Sequence, residues 1–256
     1  MTSERRVLVH PDAESLAASV AARFLTKVID LLDENETIDV CLTGGSTGIA
    51  VLVAVAQNPA REGIDWSRVA FWWGDERYLP RGDADRNETQ ARAALLDRLE
   101  LPLANVHPFP AVGDFPTIDA AADAYAAELG DTVFDITFLG VGPDGHVASL
   151  FPDHPQVTES SRRVVAETSS PKPPSERLSL TLPVLSASER VWLVLAGADK
   201  AGALGLALAD ANVASVPVAG VRGRKRTVFF VDQDAAAEVP DGLIDRERYW
   251  TAKDEA

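Results

Sequence analysis

The 256-residue sequence contains a single cysteine. That excludes an intrachain disulfide and a thiolate metal cage, and Cys41 lies in the apolar run Ile38-Asp-Val-Cys-Leu42, where burial is the ordinary role of such a residue. Histidine is nearly as scarce, at four residues with no metal-ligand spacing, so neither a metal nor another cofactor is expected. No run of about 18 apolar residues is present, and Met1-Thr-Ser-Glu-Arg-Arg6 lacks the apolar segment and cleavage site of a signal peptide. A cytoplasmic protein without membrane contact is expected. Positive charge is in short supply as well. Twenty-four Lys and Arg face 39 Asp and Glu, for a net charge of −15, and such a field repels polyanions, so nucleic acid is not an expected partner. A small anionic substrate would need cations gathered locally against that field.

What is present is ordinary globular composition, 46% hydrophobic, and enough chain for one domain over residues 1–256. Short apolar runs at Arg6–His10, Ile38–Thr43, Val69–Trp73, Phe134–Gly140, Val191–Ala196 and Thr227–Val231 read as strands. Helical patterns lie between them. Asp12 is placed to cap the series Leu16, Val20, Phe24, Val28, Leu31; Asn87 or Thr89 starts a helix over Ala91–Leu99; Ile118–Leu129 and Ala201–Ala209 follow. This alternation predicts an α/β fold with a mostly parallel sheet covered by helices on both faces, which binds ligands outside the carboxyl ends of its strands. The segments Phe109–Pro116 and Thr168–Ser175 read as loops. The one dense basic cluster, Arg222-Gly-Arg-Lys-Arg226, runs into an apolar strand and reads as its solvated lead-in.

Three loops at strand ends carry chemistry. Leu42-Thr-Gly-Gly-Ser-Thr-Gly48 leads into the helical stretch Ile49–Ala56. Adjacent glycines let successive N–H groups share one concavity, and the helix start adds positive potential, so the loop suits a phosphate or carboxylate. It lacks the Lys-Ser/Thr of a nucleotide-gripping P-loop. The second, Phe71-Trp-Trp-Gly-Asp-Glu-Arg-Tyr-Leu-Pro80, sets three charges at a strand end. Asp75 and Glu76 are candidates to orient substrate hydroxyls, and Arg77 to meet an anion with its fork of donors. Trp72 and Trp73 read as packing residues. The third, Leu139–Pro152, contains Gly140-x-Gly142-x-x-Gly145, but Pro152 and Pro155 forbid the long helix that a dinucleotide fingerprint requires. What remains there is Asp144-Gly-His146, a histidine beside an aspartate at a strand end, suited to proton transfer. His10, His107 and His154 have no comparable setting. Arg177 and Lys200, at a strand start and a strand-to-helix turn, supply further cations.

These segments, taken in order along nearly the whole chain, resemble the 6-phosphogluconolactonase family: Thr43-Gly-Gly-Ser-Thr-Gly, Trp73-Gly-Asp-Glu-Arg-Tyr-Leu-Pro, Asn87, Leu139-Gly-Val-Gly-Pro-Asp-Gly-His-Val-Ala-Ser-Leu-Phe-Pro, Arg177-Leu-Ser-Leu-Thr and Gly197-Ala-Asp-Lys. The resemblance implies the three-layer α/β/α fold shared with glucosamine-6-phosphate deaminases and ribose-5-phosphate isomerases, and hydrolysis of a phosphorylated sugar lactone in the oxidative pentose phosphate pathway. It implies that His146 is the catalytic base, that the Gly44, Gly45 and Ser46 amides with Arg177 and Lys200 hold the phosphate, that Asp75 and Arg77 line the same cavity, and that Asn87 supports their loop. Asp144 would then orient His146 or the attacking water. A monomer or weak homo-oligomer acting on a small molecule is expected. The rival readings are a glucosamine-6-phosphate deaminase and a sugar-phosphate-sensing module without turnover. Deaminases of this kind continue after the histidine into Asn-Glu-Pro, where this chain has Val147-Ala-Ser, and a sensor would carry a helix-turn-helix for which the residues before the first strand are too few.

Overall fold

A computed structural model describes residues 4–240. Strands β1 (Glu4–His10), β2 (Ile38–Leu42), β3 (Val69–Trp73), β5 (Ile136–Gly140), β8 (Arg190–Leu195) and β9 (Arg226–Asp232) form a six-stranded sheet in the order β1-β9-β8-β5-β2-β3. Every pair in it is parallel. Strands of a parallel sheet are apolar on both faces because helices cover both, and β2, β3, β5 and β8 are accordingly buried at almost every position. Helix α1 (Ala13–Glu34), capped by Asp12 as expected, buries Leu16, Val20, Phe24, Val28 and Leu31 against the sheet. It packs on β1 and β9 and against α2 (Gly45–Gln57), which reaches β5 and β8. Further helices are α3 (Asn87–Ala94), α4 (Ile118–Leu129), α5 (Leu182–Ser186), α6 (Ala201–Leu208) and α7 (Gln233–Ala236).

The strand order locates the ligand crevice. From β2 the chain moves outward to β3, whereas from β5 it moves the other way, to β8 and then β9. Loops leaving β2 and β5 therefore diverge, and a crevice opens at their carboxyl ends. Both glycine-rich loops found in the sequence leave these two strands.

Several elements differ from those expected. The run at 134 enters the sheet only at Ile136. The helix expected over Ala91–Leu99 spans 87–94 and gives way at Leu95 (φ −141°) to a short turn, which buries both Leu95 and Leu96. A second sheet was also unforeseen: β4 (Asp75–Arg77), β7 (Arg177–Leu180) and β6 (Val164–Glu167) pair antiparallel in the order β4-β7-β6. It joins the main sheet through Gly74, whose N–H donates to Leu42 O and whose carbonyl accepts from Leu180 N–H. Gly74 thus hangs the Asp-Glu-Arg segment over the crevice.

Candidate active site

A cavity of about 220 Å³ lies at the carboxyl ends of β2 and β5. The β2 loop forms its floor. Thr43 Oγ1 accepts the Gly140 N–H (3.1 Å), tying the two diverging loops together. Gly45 has φ +79° and opens α2, four residues earlier than the sequence suggested, so Gly45, Ser46 and Thr47 place first-turn N–H groups on the cavity. Gly44 is required by a close approach: a Cβ there would stand 2.0 Å from Asn87 Oδ1.

One wall comes from β4. Asp75, 8% exposed, accepts from Ser149 Oγ (2.7 Å), and Asn87 Nδ2 donates to its carbonyl (2.9 Å). Arg77 donates to Asp85 O (2.6 Å) and Asn87 Oδ1 (3.3 Å) while lining the cavity. Glu76 does not orient substrate, contrary to expectation. Strand alternation turns it to the opposite face, where it is fully buried and accepts the N–H groups of Asn87 (2.7 Å) and Glu88 (2.9 Å). It thereby caps α3, whose own N-cap residue, Arg86, provides no side-chain acceptor. Burial pushes the Glu76 carboxyl up to about 7, against the pull of Arg86 at 3.8 Å and of those amides.

The opposite wall is the β5 loop. His146 Nδ1 faces Asp144 Oδ1 at 2.5 Å, and the His146 side chain is 15% exposed. A carboxylate against Nδ1 of a neutral imidazole calls for the ring proton there, leaving the lone pair on Nε2. Burial works against a charged Asp144, but the hydrogen bonds and electrostatic attraction of His146, with Lys172 nearby, hold its carboxyl down at about 2. The pair rests on bare backbone: a Cβ on Gly142 would lie 2.0 Å from His146 Nδ1 and 2.4 Å from Asp144 Oδ1. Gly145 (φ +84°) and Ala148 (φ +50°) take the left-handed turns of the loop. Phe151 backs the imidazole, ring centroids 4.7 Å apart.

Cations complete the lining. Lys200 reaches the cavity and pairs with Asp199 (3.0 Å). Arg177 does not line it. Its guanidinium donates to the carbonyls of Lys172 (3.3 Å), Pro173 (3.0 Å) and Pro174 (3.2 Å) and lies 5.8 Å from the Phe151 ring. The loop so held presents Lys172 to the cavity, a residue the sequence reading passed over because three prolines mark only a turn. Burial lowers the Lys172 ammonium, and Lys200 and Arg177 add to this against Asp144. Of the expected residues, Gly44, Gly45, Ser46, Asp75, Arg77, Asn87, His146 and Lys200 line one cavity, and Asp144 holds the imidazole from behind. His10, His107 and His154 lie elsewhere, His107 against Glu128 (2.7 Å) and Trp72, His154 against Glu167 (2.8 Å). Cys41 is fully buried, its thiol pushed up by burial.

Residues 11–230 match the family described as glucosamine-6-phosphate isomerases/6-phosphogluconolactonase. Among curated proteins, a 6-phosphogluconolactonase of Streptomyces coelicolor is 47% identical over 256 residues, covering 95% of this chain and 98% of its own. One of Mycobacterium tuberculosis is 43% identical, covering 91% and 97%. The crystal structure of a 6-phosphogluconolactonase from Thermotoga maritima superposes with a TM-score of 0.80 at 30% identity, over 90% of this chain and all of that one.

Proposed function

Because the chain belongs to the glucosamine-6-phosphate isomerase/6-phosphogluconolactonase family, we propose that it hydrolyses 6-phospho-D-glucono-1,5-lactone to 6-phospho-D-gluconate, an oxidative pentose phosphate step. One observation carries this reading: the His146–Asp144 pair opens on the same cavity as Lys172, Lys200 and the amide-bearing start of α2. We read the imidazole as the base and these cations and amides as the anion site. The lactone carbonyl meets the imidazole while the phosphate takes the far end. His146 Nε2 takes a proton from water as the water oxygen attacks C1. The tetrahedral intermediate then expels the ring oxygen, which receives that proton back from the imidazolium. General-base catalysis of this kind contributes roughly 10²–10⁴-fold, and a donor to the developing oxyanion about 3 kcal/mol more. Asp144 fixes the ring and its tautomer. The α2 amides and Lys200 hold the phosphate, Arg177 acts on that end through the loop bearing Lys172, and Asp75, Arg77 and Asn87 orient the sugar hydroxyls. No step calls for a metal, since a lactone is already an activated acyl group.

We place this chemistry in one domain spanning the chain, acting in the cytoplasm as a monomer or weak homo-oligomer on a small molecule. No described helix is long and apolar enough to cross a membrane. Purified protein should accelerate acid release from 6-phosphogluconolactone above the spontaneous rate and release no ammonia from glucosamine 6-phosphate. The reverse pattern would assign it to the deaminase branch.

A further inference from the structure

His154 takes no part in the chemistry proposed above, yet it meets a carboxylate that lies out of water. Glu167 ends β6 and is fully buried, and its two oxygens face two different segments. Oε2 lies 2.8 Å from His154 Nδ1, while Oε1 accepts the Ser169 N–H (2.6 Å) and the Ser169 hydroxyl (3.0 Å). On the first side, His154 follows the loop that carries His146, and the buried Phe151 packs against both imidazoles, its ring centroid 4.7 Å from that of His146 and 5.9 Å from that of His154. On the second, Ser169 begins the loop that presents Lys172 to the cavity. One carboxylate thus joins the segment backing His146 to the loop bearing a cation. That loop closes on the same rung of the sheet, because Glu167 and Arg177 are cross-strand partners on β6 and β7, and Arg177 gathers the carbonyls of Lys172, Pro173 and Pro174. Inside the loop the Ser170 N–H donates to Ser175 O (3.1 Å), and the Ser170 hydroxyl donates to Lys172 O (2.8 Å) and accepts its N–H (3.2 Å). Both backbone groups of Lys172 are therefore fixed, although the residue is exposed.

Stability does not account for Glu167. A buried carboxylate gives up solvation that an apolar side chain of similar size never had, and replacing such a group by an apolar one is often neutral or stabilising. Its hydrogen bonds instead restrain a surface loop, whose order a stable core does not require. We propose, on the lactonase reading above, that Glu167 is a positioning residue for that reaction: through Ser169 and His154 it anchors the Lys172 loop to the segment behind His146, so that the Lys172 ammonium stands where the phosphate of the substrate arrives. In a chain with 39 Asp and Glu, an exposed lysine on a loose loop has many other carboxylates to meet. A loop built around its backbone keeps the cation at the cavity before the ligand comes, and binding then loses less to ordering.

A double-mutant cycle on the full chain tests this, read by calorimetric binding of 6-phosphogluconate and by lactone turnover. Lys172→Ala and Glu167→Leu should each weaken 6-phosphogluconate about tenfold, and the double variant should bind no worse than Lys172→Ala alone, because Glu167 acts through that lysine. Turnover of Glu167→Leu should show the change mainly in KM, with a smaller change in kcat. Glu167→Gln, whose amide oxygen still accepts from Ser169, should recover most of the affinity. Effects that multiply in the double variant, or a wild-type Kd in Glu167→Leu, would overturn the proposal. Should Glu167→Leu fail to fold, Ser170→Ala takes its place in the cycle: it should weaken binding several-fold, with nothing further lost once Lys172 is alanine, and a wild-type Kd there would overturn the proposal equally. A wild-type protein that binds 6-phosphogluconate without opening the lactone would defeat the lactonase reading instead, and the binding cycle would still decide the role of Glu167.

Discussion

The two walls of the candidate active-site cavity are built by opposite means. The β4 wall rests on buried charge: Glu76, Arg86 and Glu88 sit together out of water, Glu76 caps α3, and Asn87, the first residue of that helix, braces Asp75 and Arg77. The β5 wall rests on backbone. Gly142, Gly145 and Ala148 shape a loop over which Asp144 and a partly exposed imidazole lie. A desolvated ion cluster is costly to disturb and ties the wall to the stability of the whole domain, whereas a loop shaped by glycines can be disturbed without unfolding anything. The first wall should therefore fail as a structure and the second as a catalyst.

The contrast is open to attack from both sides. Glu76→Ala removes one of the two carboxylates facing the buried Arg86 and uncaps α3, so it should cost about 3–5 kcal/mol of stability in chemical denaturation; a loss under about 1 kcal/mol would show that the cluster is not what holds β4. Gly142→Ala pushes the Asp144–His146 pair aside, and a displacement near 1 Å lowers kcat by about 100-fold. Its denaturation midpoint should stay close to wild type. Arg177→Ala frees the loop that presents Lys172 and should raise KM several-fold with a smaller change in kcat, since a grip on the phosphate end acts on ground and transition states alike. An unchanged KM would leave that loop outside substrate binding.

The smallest effect is in acid. Asp144 has a folded value depressed to about 2 from the ordinary 3.8, so the unfolded chain binds its proton first as pH falls. Its contribution to stability is complete above the ordinary value and fades as pH drops toward 2. The difference in melting temperature between wild type and Asp144→Asn should shrink over that window, and a difference that grows instead would mean the carboxyl is not held down.

The parallel sheet was legible because each of its strands is five to seven residues long and carries an apolar stretch, long enough to show its pattern. The second sheet was not, since β4, with three residues, and β6, with four, are too short for one. Asp144-Gly-His146 and the glycine loop were readable because glycines and titratable groups at strand ends have few structural uses. Glu76 was misread for a physical reason: three successive charges look solvated in one dimension, and only pairing with β7 shows that alternation sends the middle one inward. Lys172 and Arg177 exchange expected places because a guanidinium near several loop carbonyls binds them, which no spacing in the sequence announces.

We propose that the His146 imidazole supplies the base and nothing of the fold. The steady-state rate of 6-phosphogluconolactone hydrolysis by His146→Ala, corrected for spontaneous opening, tests it directly. We expect kcat to fall by about 10²–10⁴ at an unchanged melting temperature and near-normal affinity for 6-phosphogluconate. A variant hydrolysing the lactone as fast as wild type would contradict it.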